Sequence, residues 1–139
     1  MGITYAEIEL IRGADLVLAE EGYLSADDIR RLKVLALVDT GSSMLVISRS
    51  LSKQLALRHV DEVDTELANG TLMRADVVGP VEVRFQNRKT VVNAVVVEAD
   101  TDVLLGAIPI QGMDVMVDPK RERLILNPDS PDKARMLMK

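Results

Sequence analysis

The stretch Leu35-Ala36-Leu37-Val38-Asp39-Thr40-Gly41-Ser42-Ser43 ends an apolar run on a carboxylate, and a second apolar run, Met44-Leu45-Val46-Ile47, leads away from it. Two buried strands bracketing an acid is an unusual arrangement. Burial removes water from the carboxylate and disfavours its charge unless nearby donors compensate. Thr40-Gly41-Ser42 is suited to that task, because Gly lets the backbone fold back closely and the hydroxyls are short-range donors. A turn acid that merely caps its own loop is the competing reading.

Outward from this turn, the chain predicts short strands. Ile3 to Ile11 alternates apolar Ala6, Ile8 and Leu10 with Glu7 and Glu9, as a strand does. Ala14 to Ala19 reads as its continuation or hairpin partner. Ser25-Ala26-Asp27-Asp28 carries a helix-start serine with acids behind it and predicts a helical turn. Ser48 opens a short helix with Leu51 and Leu55 on one face. Val60 to Ala68 and Thr71 to Val78 are strands joined at Asn69-Gly70, a strong hairpin signal. Gly79-Pro80 should break the second of them, and Val81 to Phe85 then alternates strictly. Thr90 to Glu98 is a Val-rich strand and Glu98 to Asp102 an acidic loop. Val103-Leu104-Leu105-Gly106 is a short buried strand entering a helical turn, Ala107 to Gln111. A last hairpin joins Asp114–Asp118 to Arg123–Leu126 around Pro119. The segment from Asn127 onward, carrying Pro128 and Pro131, is irregular or weakly helical.

Composition agrees with an all-β chain. The 139 residues suffice for one domain, expected over residues 1–127 with a tail over 128–139. Apolar residues make up 47% and aromatics 2%, so Val, Leu, Ile and Ala must build the core. A net charge of -5 without a sustained basic cluster argues against nucleic acid or an anionic membrane as partner. There is no Cys, which excludes disulfides and thiolate metal sites, and His59 is the only His. It reads as a surface or helix-end residue, and the acids fit no calcium loop, so neither metal nor cofactor is expected. Glu7 and Glu9 interrupt any apolar signal segment, and no apolar span of about 18 residues occurs, predicting a soluble cytoplasmic protein. Many short strands with turns between them imply a small β-barrel or sandwich with one or two short helices.

Three features now fall in order: Asp39-Thr40-Gly41-Ser42, the hairpin tip at Asn69-Gly70, and Leu104-Leu105-Gly106 before a helix. From about Val34 to Asn127 the chain resembles the single-domain, retropepsin-like aspartic proteases, especially small bacterial ones. The resemblance implies a small closed acid-protease barrel. It makes Asp39 the catalytic acid, Thr40 a hydrogen-bonding partner across a subunit interface, Gly41 a point of close approach to substrate, and Ser42 a donor to the Asp39 carboxylate. Ala68, Asn69 and Gly70 become the tip of a substrate-covering flap, and Leu104, Leu105 and Gly106 pack behind the active loop. Ser42 stands where retroviral members usually have Ala, and the flap tip holds one Gly rather than several. The segment Leu16 to Leu32 is longer than the family needs.

Peptide hydrolysis by carboxyls alone needs two of them, one as base and one as acid. With one Asp-Thr-Gly per chain, the implied enzyme is a homodimer with Asp39 from each copy, cutting an extended peptide or protein substrate. Two other readings are a non-catalytic peptide-binding or dimerisation module of the same fold, and a phosphate loop as in actin-like ATPases. The latter needs far more chain and a second phosphate loop.

Overall fold

The computed structural model describes residues 2–66 and 69–136. Strand β1 (Tyr5–Arg12) pairs antiparallel with β2 (Arg31–Val38), placing Leu10 opposite Leu32 and Ala6 opposite Ala36. After β2 come β3 (Leu45–Ser48), helix α2 (Arg49–Gln54), β4 (Arg58–Glu66), β5 (Leu72–Phe85), β6 (Arg88–Val97) and β7 (Val103–Leu105). The sheet order is β1-β2-β7-β3-β6-β5-β4, and β1 also pairs with β5. That extra pairing closes β1, β2, β7, β3, β6 and β5 into a barrel, with β4 added outside as the partner of β5. The chain is thus all-β, a small closed barrel with short helices. Helix α3 (Ala107–Gly112) and the hairpin of β8 (Val115–Asp118) and β9 (Arg123–Leu126) complete it.

The barrel interior is aliphatic, as the composition required. Leu10, Ala36, Leu45, Ile47, Val81, Val83, Ala94 and Leu105 have no solvent exposure, and Phe85 is the one aromatic residue in the core cluster. Ser48 caps α2, its hydroxyl accepting from the Leu51 N–H at 3.2 Å, and Ser25 caps a single 3-10 turn over Ala26–Asp28. Both starts were legible from the serine alone. No described helix is long and apolar enough to cross a membrane.

Two expectations are corrected. Residues 14–19 are not a strand: Gly13–Glu20 is helix α1. Leu16, Val17 and Leu18 form an apolar triplet with no period, and what holds the helix in place is Asp15, buried at its N-terminal turn. The Asp15 carboxylate accepts from Arg12 Nη1 at 2.5 Å, the Arg30 N–H at 2.9 Å and Arg30 Nη1 at 3.5 Å. The long excursion between β1 and β2 is therefore pinned at both ends by one acid. Burial pushes this carboxyl up, but the Arg30 N–H and the two guanidiniums together outweigh it and hold it below the ordinary value.

Second, Gly79-Pro80 does not end a strand. β5 runs through it, and the register against β6 shifts between Val78 and Val81. Proline has no N–H to give a ladder, so it occupies the irregularity and the strand continues beyond. One β5 thereby serves both the barrel, through β1, and the outer hairpin, through β4.

The C-terminal segment is irregular but fastened. Asp114, at a positive φ of 55°, accepts from Asn127 Nδ2 at 2.9 Å, the Ser130 hydroxyl at 2.5 Å and the Arg135 N–H at 2.8 Å. Ser130 is buried, and its carbonyl receives a hydrogen bond from Nη2 of the buried Arg88. Asn87 Nδ2 donates to the carbonyls of Pro131 and Asp132.

Candidate active site

Strand β7 lies between β2 and β3, parallel to the first and antiparallel to the second. The loop from Asp39 to Met44, which joins β2 to β3, must therefore arch over the end of β7. Backbone hydrogen bonds fix it there. Leading into the arch, the Val38 N–H donates to the Thr4 carbonyl at 2.8 Å and the Asp39 N–H to the Leu105 carbonyl at 3.0 Å. Within the arch, the Ser42 N–H donates back to the Asp39 carbonyl at 3.1 Å, closing a tight turn. On the far side, the Ala107 N–H donates to the Ser42 carbonyl at 2.7 Å and the Ile108 N–H to the Ser43 carbonyl at 2.9 Å. These two donors belong to the first turn of α3, where helix N–H groups have no intrahelical partner. The arch and α3 satisfy each other.

Gly106 is the point of closest approach. A Cβ there would run into the Met44 carbonyl oxygen and lie 2.7 Å from that of Ser42. Leu104-Leu105-Gly106 thus works as a unit: two residues pair in the barrel and the third, lacking a side chain, lets the arch sit down on α3.

The Asp39 side chain is half-buried on the arch, and its Oδ1 accepts from the Gly41 N–H at 3.0 Å. Thr40 and Gly41 are exposed and Ser42 is half-buried. Among the described residues, the Ser42 hydroxyl is not a donor to the carboxylate; Ser42 enters through its backbone. The site is a half-buried acid anchored to its own turn by one backbone donor.

The β4–β5 hairpin carries Asn69 and Gly70 at its end, where the Thr71 N–H donates to Asn69 Oδ1 at 2.9 Å and Gly70 takes a φ of 83°. The tip assigned to Asn69 and Gly70 is a tight polar turn, while Ala68 lies outside the described residues. The two hairpin strands pair Val63 with Ala75 and Thr65 with Met73 on one face, and Glu62 with Asp76 and Asp64 with Arg74 on the other. Val63, Thr65 and Ala75 are half-buried and their charged neighbours exposed, apart from Asp76.

A charge cluster at the hairpin's base was not legible in the sequence. Arg49 Nη2 donates to Asp76 at 2.7 Å and to Glu98 at 2.9 Å, and His59 Nδ1 lies 3.5 Å from Asp76. Arg49 follows directly on β3, Asp76 lies on β5 and His59 on β4, so the cluster ties the strand leaving the active loop to both strands of the hairpin. Hydrogen bonds from Arg49 lower the Asp76 carboxyl, and those to Glu98 and Asp76 raise the Arg49 guanidinium. Their sequence separations of 27 and 49 residues leave no local pattern to find.

No curated protein matches the chain. The family model described as aspartyl protease matches residues 27–107, from the 3-10 turn before β2 to the first residue of α3, which spans the Asp39 arch, the hairpin and Gly106. That is more than half of the chain, and the arch, the straddled β7 and the closed barrel are in accord with it: the chain belongs to the aspartyl protease family.

Proposed function

We propose that the chain is an aspartic endopeptidase that works as a homodimer, each copy supplying Asp39 to a shared dyad. The observation that carries this is the half-open Asp39 carboxylate, held on the arch by the Gly41 N–H, in a chain with a single Asp-Thr-Gly. One carboxyl cannot remove a proton from water and protonate a carbonyl at once. Two like charges brought to about 3 Å cannot both persist, so the pair shares one proton and presents base and acid together.

In the reaction, the ionised carboxyl takes a proton from water as its oxygen bonds to the scissile carbonyl carbon, and the protonated carboxyl gives its proton to the carbonyl oxygen. The tetrahedral diol then collapses, a proton passes to the amide nitrogen, and the C–N bond breaks to release acid and amine. Thr40, exposed on the arch, bonds across the two-fold axis, and Ser42 supports the loop. Substrate lies extended beneath the hairpin, with Asn69 and Gly70 at the closing tip. The half-buried face of Val63, Thr65 and Ala75 supports apolar side chains beside the cut.

The test is digestion of a diverse peptide library from acidic to neutral pH, with and without a transition-state-analogue inhibitor of aspartic proteases. Inhibitor-sensitive cleavage that vanishes in Asp39→Asn is expected. A dimer that binds peptides and cuts none would make the chain a non-catalytic binding module.

A further inference from the structure

The chain has two tyrosines and one phenylalanine. Phe85 lies in the core, Tyr5 gives its hydroxyl to Asp102, and Tyr23 stands 79% exposed, its hydroxyl without a partner among the described residues. The backbone holds Tyr23 in that position. Helix α1 ends at Gly22, whose φ is 86°, with the Gly22 N–H bonded to the Ala19 carbonyl at 3.1 Å and the Tyr23 N–H to the Leu18 carbonyl at 2.8 Å. That capping pattern sets the side chains of Leu18 and Tyr23 beside each other. Leu18 and its neighbour Val17 are themselves exposed, at 39% and 54%. Buried Asp15 fastens the other end of the helix, so Val17, Leu18 and Tyr23 form an apolar patch on a pinned element.

Acids flank the patch where they cost the helix. Glu20 and Glu21 close α1, follow Val17 at i+3 and i+4 spacing, and meet the negative end of the helix dipole, with no base in the last turn. Asp27 and Asp28, on the 3-10 turn of the same excursion, are exposed as well. The arginines on either side are engaged elsewhere, Arg12 and Arg30 by Asp15 and Arg31 by Glu9. A helix selected only for its own stability would carry Lys or Arg where Glu20 and Glu21 stand.

We propose that α1 and its Gly22 turn are a docking surface for a Lys- and Arg-rich segment of another protein that also carries aliphatic side chains. The aliphatic groups cover Val17, Leu18 and the Tyr23 ring, whose face also accepts a cation, and the basic heads meet Glu20 and Glu21. The same negative charge turns away nucleic acid and anionic membranes. The patch lies outside the span that the family model matches, which begins at residue 27. Asp39 follows the opposite end of β2, a strand roughly 23 Å long at about 3.3 Å per residue. A docked segment therefore leaves the arch open, and its binding does not depend on the dyad.

The probe is a short fluorescein-labelled peptide of repeating Leu-Lys-Arg, followed by fluorescence anisotropy against the full chain carrying Asp39→Asn, so that the probe is not cut. Saturable binding that weakens as salt rises is expected, with a Leu-Glu-Glu counterpart failing to bind and a Ser-Lys-Arg counterpart binding more weakly. Tyr23→Ser and the double reversal Glu20→Lys/Glu21→Lys should each raise Kd by about tenfold or more. Asp129→Lys/Asp132→Lys, an equal charge change on the exposed C-terminal segment, should raise it less than about twofold. The Glu20→Lys/Glu21→Lys reversal should also hold or raise the urea midpoint, because it puts cations at the helix C-terminus. A midpoint that falls would show that these acids serve the fold, and would overturn the proposal. So would an absence of binding, or a Kd that Tyr23→Ser leaves unchanged or that the C-terminal control raises as much. A dimer in sedimentation that Tyr23→Ser converts to monomer would give the patch to a second copy instead.

Discussion

A methyl group on Gly106 would sit 2.7 Å from the carbonyl oxygen of Ser42, closer than a carbon and an oxygen approach without bonding. The arch that presents Asp39 is thus shaped by a residue 67 positions downstream of it. Gly106→Ala must push the arch off α3, because the obstructing atoms are backbone and cannot rotate away. A loss of about 1–3 kcal/mol in urea unfolding is expected, as for other overpacked sites. Peptidase activity should fall further than stability, since the Ala107 and Ile108 donors lose their alignment with the Ser42 and Ser43 carbonyls.

If each dimer needs both copies of Asp39, inactive chains should poison active ones. Co-refolding wild type with an equal amount of Asp39→Asn leaves about a quarter of the dimers with two intact carboxyls under random assortment. Activity per total dimer should drop to that level. Retention of about three quarters of the activity would mean that one carboxyl per dimer suffices, and retention of about half that each chain works alone.

Asp15→Asn removes the negative charge that pins both ends of the β1–β2 excursion. A cost of about 2 kcal/mol is expected in urea unfolding, less than the ~3–5 for a fully buried pair, because Arg30 is half exposed and its share is screened. The active loop does not touch this acid, so kcat per folded chain should stay unchanged.

Much of this site was legible from local sequence. Asp39-Thr40-Gly41-Ser42 announced a turn between buried strands, Asn69-Gly70 a hairpin, and Leu104-Leu105-Gly106 a short strand stopping at a glycine. These signals are short-range, and each residue's role follows from its own chemistry. Helix α1 was missed because Leu16-Val17-Leu18 has no period and its placement depends on Arg30, fifteen residues away. The continuity of β5 was missed because Pro80 usually ends a strand, and only pairing with β1, β4 and β6 carries it past that point. The Arg49 cluster was invisible because it joins residues that only the barrel brings together.

Arg49→Met should free the hairpin more than it weakens the fold. The cluster is solvent-accessible, so the urea midpoint should hardly move. Amide exchange in β4 and in the outer half of β5 should quicken, and KM should rise while kcat changes little, because in the proposed mechanism the hairpin covers substrate and Asp39 reacts with it.

Asp114 sets an acid limit on the C-terminal anchorage. Hydrogen bonds from Ser130, Asn127 and Arg135, in that order, hold its carboxyl at about 2 against an ordinary 3.8. A carboxyl lowered in the native state stabilises fully above the ordinary value, and that contribution is lost as pH falls through about 2. Urea midpoints followed from about pH 5 down to about pH 1 should therefore show a step that is absent in Asp114→Asn. A peptidase working in mild acid would keep this anchorage intact.

The match to the family begins at residue 27, whereas the strand that seals the barrel, β1, ends at Arg12. A fragment trimmed to the matched span would be a barrel missing a stave. Its inner surface, Val81 and Val83 on one side and Ala36 on the other, would lie open along two unpaired margins. Such a fragment should clump rather than fold, even though it keeps Asp39, the hairpin and Gly106. The boundary of the recognisable chemistry is not the boundary of the smallest piece able to perform it.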